Sequence, residues 1–228
     1  AIQNNVIHQA YLSGIKKMIF LGSSCVYPRL ALQPIREEYL LTGELEKTNK
    51  SYAVAKIAGI TMCQAYNSQY GTDFVSVMPT NTYGPNDHFD LEESHVMPAL
   101  IRKFYEAKDK NEARVVIWGT GNSKREFMHV DDLADACVFV MNAEFKFDLV
   151  NIGTGEDMSI SDLVQMIRKI SGFRGEVVWD GSRPDGTPRK LLDVSRLTSL
   201  GWHYKIELED GIRRAFEWYE KHVNEADK

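Results

Sequence analysis

Lys17-Met18-Ile19-Phe20-Leu21-Gly22-Ser23-Ser24-Cys25-Val26-Tyr27-Pro28 runs an apolar segment directly into two hydroxyls and a thiol. The segment reads as a strand over 17–22, which leaves the polar triplet at its carboxyl end. On its amino-terminal side Ile2, Val6, Ile7 and Ala10 fall on one stripe, predicting a helix over 1–13 that Gly14 ends. On the other side come a turn-rich loop (about 23–50), a helix from about 52 to 70 closed by Gly71, and a strand over Asp73–Met78. Strands apolar on both faces, alternating with helices, predict a parallel sheet covered by helices. Ligands of such sheets sit at the carboxyl ends of the strands. Ser23-Ser24-Cys25 and Pro79-Thr80-Asn81-Thr82 both occupy such ends.

The remainder is more mixed. Ser94 is the expected cap of a helix reaching about 108, and Arg114–Trp118 reads as a strand. A short strand over 126–130 leads through Asp131-Asp132 into a helix to about 142. Strands at 149–152 and 176–179 and helices at 160–171 and 207–222 complete the pattern. Two domains sharing the chain discontinuously fit this order, with 1–83 and about 128–153 in one and about 84–127 and 154–228 in the other.

Composition narrows the possibilities. The 228 residues are 43% hydrophobic and 26% charged, with a net charge of −5 and interspersed signs. That gives nucleic acid no basic face to bind. No apolar run approaches the roughly 20 residues of a membrane span, and no leader pattern is visible. Cys25, Cys63 and Cys137 lie far apart without a C-x-x-C, as free thiols of a reducing cytoplasm would. Cys63 and Cys137 fall mid-helix among apolar neighbours and read as core. His129 precedes Asp131-Asp132, which more simply begin a helix than bind a metal, and no ligand set has zinc-like spacing.

Tyr52 and Lys56 stand four residues apart, hence on one helical face. An ammonium beside a phenol favours the phenolate and suits the tyrosine to proton exchange near neutral pH. A serine at the preceding strand end, Ser23, is placed to hydrogen-bond a carbonyl oxygen as it gains charge. Trp118 offers a flat apolar surface and Arg125 a fork suited to phosphate oxygens, although an edge aromatic and a solvated charge are equally consistent with spacing. Asp185 suits either a sugar hydroxyl or the Pro184-Asp185-Gly186 turn.

The order of these features resembles the extended short-chain dehydrogenase/reductases, which modify nucleotide sugars with a nicotinamide cofactor. The features are the strand-end serine, Tyr52-x-x-x-Lys56, Pro79-Thr80-Asn81-Thr82-Tyr83-Gly84-Pro85, and Arg125-Glu-Phe-Met-His-Val-Asp-Asp-Leu-Ala134. Leu21–Pro28, Ser94–Leu100 and Pro184–Asp193 are similar, within that family, to enzymes that epimerise and reduce a GDP-linked keto-sugar. The resemblance implies a Rossmann-like doubly wound parallel sheet with a smaller discontinuous α/β substrate domain. It implies NADP(H) as cofactor, a GDP-sugar as substrate and a homodimer of the complete protein. By the same resemblance Ser23, Tyr52 and Lys56 form a reduction triad, and Cys25 and His95 an acid/base pair for epimerisation. Leu21, Gly22, Ser23, Ser24, Tyr52, Lys56, Pro79, Thr80, Asn81, Thr82 and His95 would touch the cofactor, and Lys103, Trp118, Arg125 and Asp185 the GDP-sugar. The alternatives are another nucleotide-sugar epimerase or dehydratase, or a catalytically silent sugar-nucleotide-binding fragment.

The chain departs from the family in one respect. No strand with a glycine-rich pyrophosphate turn precedes residue 1, while Gly119-Thr-Gly121 and Gly153-Thr-Gly155 lack the third glycine and fall too late. The chain also starts without Met and already in a helical pattern. It therefore reads as N-terminally truncated, with weak cofactor binding and with Ile19, Phe20 and Val75 exposed on a shortened sheet.

Overall fold

The computed structural model describes residues 2–182 and 185–226. Ala1 and Pro184, which belong to the expected first helix and to the Pro184-Asp185-Gly186 turn, lie outside the described residues. Helix α1 (Ile2–Leu12) is followed by β1 (Lys17–Leu21), α2 (Lys50–Tyr70), β2 (Asp73–Pro79) and β3 (Asn81–Tyr83). Next come α3 (Val96–Asp109), β4 (Arg114–Trp118), β5 (Lys124–Arg125), β6 (Phe127–His129) and α4 (Val130–Asn142). The chain continues through β7 (Leu149–Ile152), β8 (Met158–Ser159), α5 (Ile160–Ser171) and β9 (Glu176–Asp180). It closes with β10 (Arg189–Lys190), α6 (Ser195–Ser199) and α7 (Leu208–Ala226).

The central sheet has the order β1-β2-β7 and is parallel throughout, with Phe20 opposite Ser76 and Ser76 opposite Leu149. Helix α2 lies tight against β1 because Gly59 has no side chain. The Phe20 ring fills the space a Cβ would take. Gly71, at φ 64°, ends α2 and donates its N–H to the Asn67 carbonyl. On the other face Val75, Val77, Val150 and Ile152 pack with Met128, Ala136 and Val140 of β6 and α4. Fully burying each such valine contributes about 1.5–3 kcal/mol. A separate core joins α3, α5 and α7 with β4, centred on Phe104, Leu163, Ile167 and Tyr219. Among the described residues no helix is long and apolar enough to cross a membrane.

Several local expectations are corrected. Val75 is fully buried, because α4 and β6 cover the face expected to be bare; Ile19 and Phe20 are half-buried. On α1 only Ile7 is buried, while Ile2 and Val6 point outward. Ser94 does not cap α3: its hydroxyl is drawn to the Asp90 and His95 carbonyls, and His95 holds the cap position without a side-chain bond. Asp131 and Asp132 do begin α4, in its first turn, but neither caps it. The buried His129 ring does so, accepting the Asp131 N–H on Nδ1 at 3.2 Å, while Asp132 accepts the Lys205 and Ile206 amides. The strand expected at 126–130 is present but shorter, as β6, because Glu126 is buried just before it and Val130 already begins α4.

Candidate active site

The carboxyl end of β1 is shaped by two close approaches. Buried Gly22 donates to the Val77 carbonyl at 2.8 Å, and a Cβ on it would meet that same oxygen at 3.0 Å. Ser23 then caps a short 3-10 turn over Ser24–Val26, its Oγ accepting the Cys25 N–H at 3.2 Å. That turn fixes the direction in which the half-buried Cys25 leaves the strand.

Lys56, one turn beyond Tyr52 on α2, bridges to this strand end and donates to the Leu21 carbonyl at 2.7 Å. Its ammonium stands 5.3 Å from the centroid of the Phe20 ring and 5.7 Å from that of Tyr52. Burial lowers the Lys56 pKa from the ordinary lysine value. The Tyr52 side chain is 48% exposed, so its phenol is open to an incoming ligand. Ser23, Tyr52 and Lys56 are therefore grouped at one strand end, with Lys56 seated on the tyrosine ring face.

Pro79 ends β2 beside this group. The next two side chains turn inward: Thr80 Oγ1 and Asn81 Nδ2 both donate to the Glu126 carbonyl, at 3.2 and 2.8 Å. Thr82 instead lines an open cleft of about 200 Å³ with Gly84, Asp87, His95 and Val130. Asp87 sits within that cleft; burial raises its carboxyl pKa, and the nearby His95 and His88 oppose the rise.

Cys25 lines a different cleft, together with Tyr27, Arg29, Glu46, Thr187, Arg189 and Lys190. The two clefts share no lining residue, so the structure places Cys25 and His95 in separate recesses.

The four expected sugar-nucleotide residues form two pairs. Lys103 donates to the Val116 carbonyl at 3.2 Å and lies 4.8 Å from the Trp118 ring centroid, its pKa lowered by burial. Arg125 is half-buried, and burial lowers its pKa against the opposing charges of Asp185 and Cys25. Asp185 accepts the Thr120 hydroxyl at 2.6 Å and the Thr120 N–H at 2.7 Å, bonds that hold its carboxyl below the usual range. Both of its oxygens are thus engaged in shaping the Gly119–Gly121 turn.

Glu126 is a residue the sequence did not single out. It is fully buried, and burial pushes its carboxyl pKa up while amide hydrogen bonds pull it down. It accepts the Gly155 N–H at 2.8 Å and the Leu192 N–H at 3.0 Å. Both Gly-Thr-Gly turns therefore wrap one of the chain's own carboxylates, Asp185 in one case and Glu126 in the other. An anion-binding turn filled in this way has no room for a pyrophosphate. Glu126→Ala leaves the buried Leu192 amide and the part-buried Gly155 amide unpaired and is expected to cost about 2–5 kcal/mol in urea unfolding. A loss below about 0.5 kcal/mol, the range of ordinary surface changes, would overturn that role.

The residues present fit the reactive end of a dinucleotide. Leu21–Ser24 close β1, Lys56 bonds the Leu21 carbonyl and Pro79 ends the adjacent β2, while the described residues contain no free glycine-rich cradle for its phosphates. Among the described residues no three His, Cys, Asp or Glu side chains cluster as a metal site.

A parallel sheet with a strand-end serine and Tyr-x-x-x-Lys above it defines a Rossmann-type, nicotinamide-dependent protein of the epimerase/reductase class. The chain belongs to the NAD dependent epimerase/dehydratase family, whose profile matches residues 1–153. It is 57% identical over 222 residues to a putative GDP-L-fucose synthase 2 of Arabidopsis thaliana, covering 97% of this chain and 68% of that protein. It is 52% identical over 227 residues to the GDP-L-fucose synthase of Escherichia coli K12, covering 96% of this chain and 71% of that protein. A solved GDP-L-fucose synthetase from Naegleria fowleri bound to NADP superposes with a TM-score of 0.93 at 31% identity, over 99% of this chain and 73% of that one.

Proposed function

We propose that this protein carries out the 3,5-epimerisation and NADPH-dependent 4-reduction of GDP-4-keto-6-deoxy-D-mannose to GDP-L-fucose. The observation that carries the reading is the strand end itself. Ser23 and Cys25 leave β1 two residues apart, and Lys56, packed on the Tyr52 ring, bonds the Leu21 carbonyl just before them, so the expected reducing group and the thiol stand at the same strand end. The identities to GDP-L-fucose synthases support the same reading.

A 4-ketone acidifies the C–H bonds at C3 and C5, and inverting each carbon requires one group to take a proton and another to return one to the opposite face. A thiol and an imidazole, with ordinary pKa values of about 8.5 and 6.5, suit that exchange near neutral pH. In this reading the sugar ring lies between the two clefts, with Cys25 on one side and His95 on the other. Ser23 and Tyr52 hydrogen-bond the C4 oxygen as it becomes an enolate. NADPH, when bound, supplies the hydride that C4 receives. Tyr52 gives its proton to the C4 oxygen, and Lys56 holds that end of the site to the Leu21 carbonyl. Trp118, Arg125, Lys103 and Asp185 are assigned to the GDP portion.

Ile2, Val6 and Val54, exposed on α1 and α2, support a homodimer through these helices, and the free thiols suit the cytoplasm. The test uses the purified protein and the keto-sugar in deuterated water. Deuterium is expected at C3 and C5 without NADPH, and GDP-L-fucose once NADPH is added. Intact keto-sugar without deuterium would overturn the reading, and binding without exchange would leave a silent sugar-nucleotide module in its place.

A further inference from the structure

We infer that Lys190 is a positioning residue for the epimerisation step, its ammonium holding the Cys25 sulfur in place and facing the charge that sulfur carries as a thiolate. The inference rests on the acid/base role proposed for Cys25 and extends it to a residue 165 positions away in sequence. Lys190 Nζ donates to Cys25 Sγ at 3.4 Å.

Both partners are held by backbone. Cys25 sits in the 3-10 turn that Ser23 caps. Lys190 lies on β10, opposite Arg125 of β5. The residues that follow are pinned three times over. Leu191 N–H donates to Gln33 Oε1 at 2.8 Å, Leu192 N–H to Glu126 Oε2 at 3.0 Å, and Ile35 N–H to the Leu191 carbonyl at 2.7 Å. This sulfur–ammonium contact is therefore more than the meeting of two free side chains.

The charges around the thiol single out Lys190. Arg29 is paired with Glu46 at 3.2 Å, and Arg189 with Asp157. Glu46 is further engaged by the Thr187 hydroxyl. Arg125 faces Asp185 as well as Cys25 and spends one N–H on the Lys124 carbonyl at 2.8 Å. Lys190 is half-buried and has no carboxylate within ion-pair distance among the described residues.

An ammonium this close to a half-buried sulfur favours a thiolate over a thiol. The thiolate is the form able to accept a proton. When it does so, the sugar C–H bond breaks, an S–H bond forms, and the electron pair moves to the C4 oxygen as an enolate. Lys190 touches neither carbon nor oxygen in this step and acts through sulfur alone.

The experiment follows alkylation of Cys25 by iodoacetamide in the native protein across pH 6–10, read site by site by peptide mass spectrometry. Cys137, a half-buried thiol on α4, serves as the internal reference and reports whether the fold is intact. Lys190→Met is expected to slow Cys25 alkylation about tenfold at pH 7 and to move the rate profile to higher pH, as loss of one nearby opposite charge would. Lys190→Gln should behave alike, and Lys190→Arg, which keeps the charge, should recover most of the rate. Wild-type profiles in both neutral variants, with Cys137 unchanged, would overturn the inference.

Deuterium exchange into the keto-sugar separates this from the reading beneath it. Normal exchange in Cys25→Ser, with alkylation still dependent on Lys190, would remove the acid/base role and leave only the contact. Exchange that requires Cys25 while the Lys190→Met profile is unmoved would keep the role and remove Lys190 from it.

Discussion

Tyr52→Phe is expected to slow NADPH oxidation by about 10²–10⁴-fold, the range lost with a general acid, and to reduce deuterium exchange at C3 and C5 far less. The difference comes from what the two half-reactions ask of the phenol. Reduction leaves an alkoxide at C4 that needs a proton, and Tyr52 is the group assigned to deliver it. Exchange needs only that the C4 oxygen be hydrogen-bonded as charge builds up, and Ser23 remains for that. Phenylalanine keeps the ring over which Lys56 sits at 5.7 Å, and Lys56 keeps its bond to the Leu21 carbonyl, so the strand end should hold its shape. Tyr52 is 48% exposed, so removing its hydroxyl strands no buried partner. Stopped-flow absorbance of NADPH gives the first rate and mass spectrometry of the recovered sugar the second. NADPH oxidation within about threefold of wild type, under 1 kcal/mol, would remove Tyr52 from the proton transfer.

The sheet and the meeting of Tyr52 with Lys56 were legible because both are written locally. Met18–Leu21 and Phe74–Met78 are apolar on both faces, which only a covered parallel sheet explains well, and β1, β2 and β7 pair in that way. Tyr52 and Lys56 are separated by one helical turn, so their spacing alone puts them on one face. What sequence could not show was chosen by contacts between distant segments. Lys190 belongs to a two-residue strand with no periodicity of its own, and it reaches Cys25 only because β10 pairs with β5. Glu126 reads as an ordinary strand residue until Gly155 and Leu192 bring their amides to it.

The cap of α3 was misassigned for a related reason. Ser94 is a good cap type, but a side chain bonds whichever group lies nearest, and for Ser94 that was the Asp90 carbonyl. Val75 was expected to be bare because the cover supplied by α4 and β6 comes from more than fifty residues further along the chain. The recurring signal that could have helped is the Gly-Thr-Gly pair. Each such turn exposes amides that must meet an anion, and two buried or turn-bound carboxylates, Glu126 and Asp185, are present to meet them.

Cys25→Ser tests the feature that separates an epimerase-reductase from a plain reductase, and it is expected to lower deuterium entry at C3 and C5 by about 10²–10⁴-fold. The exchange replaces sulfur by oxygen with little change in shape. The turn over Ser24–Val26 depends on the Cys25 backbone N–H, which donates to Ser23 Oγ whatever the side chain. Cys25 is only half-buried, so unfolding midpoints should stay close to wild type and a kinetic loss cannot be charged to the fold. What changes is acidity. A serine hydroxyl holds its proton far more tightly than a thiol, so Lys190 beside it at the same position has no anion to stabilise at neutral pH. Reduction of the ketone need not fall in parallel, because Ser23, Tyr52 and Lys56 are untouched. NADPH consumption without deuterium at C3 or C5 is therefore the expected signature, with a product that retains the substrate's configuration at those carbons. Normal exchange in the serine variant would leave Cys25 as a packed side chain beside a reductase site and would return the protein to the simpler members of its family.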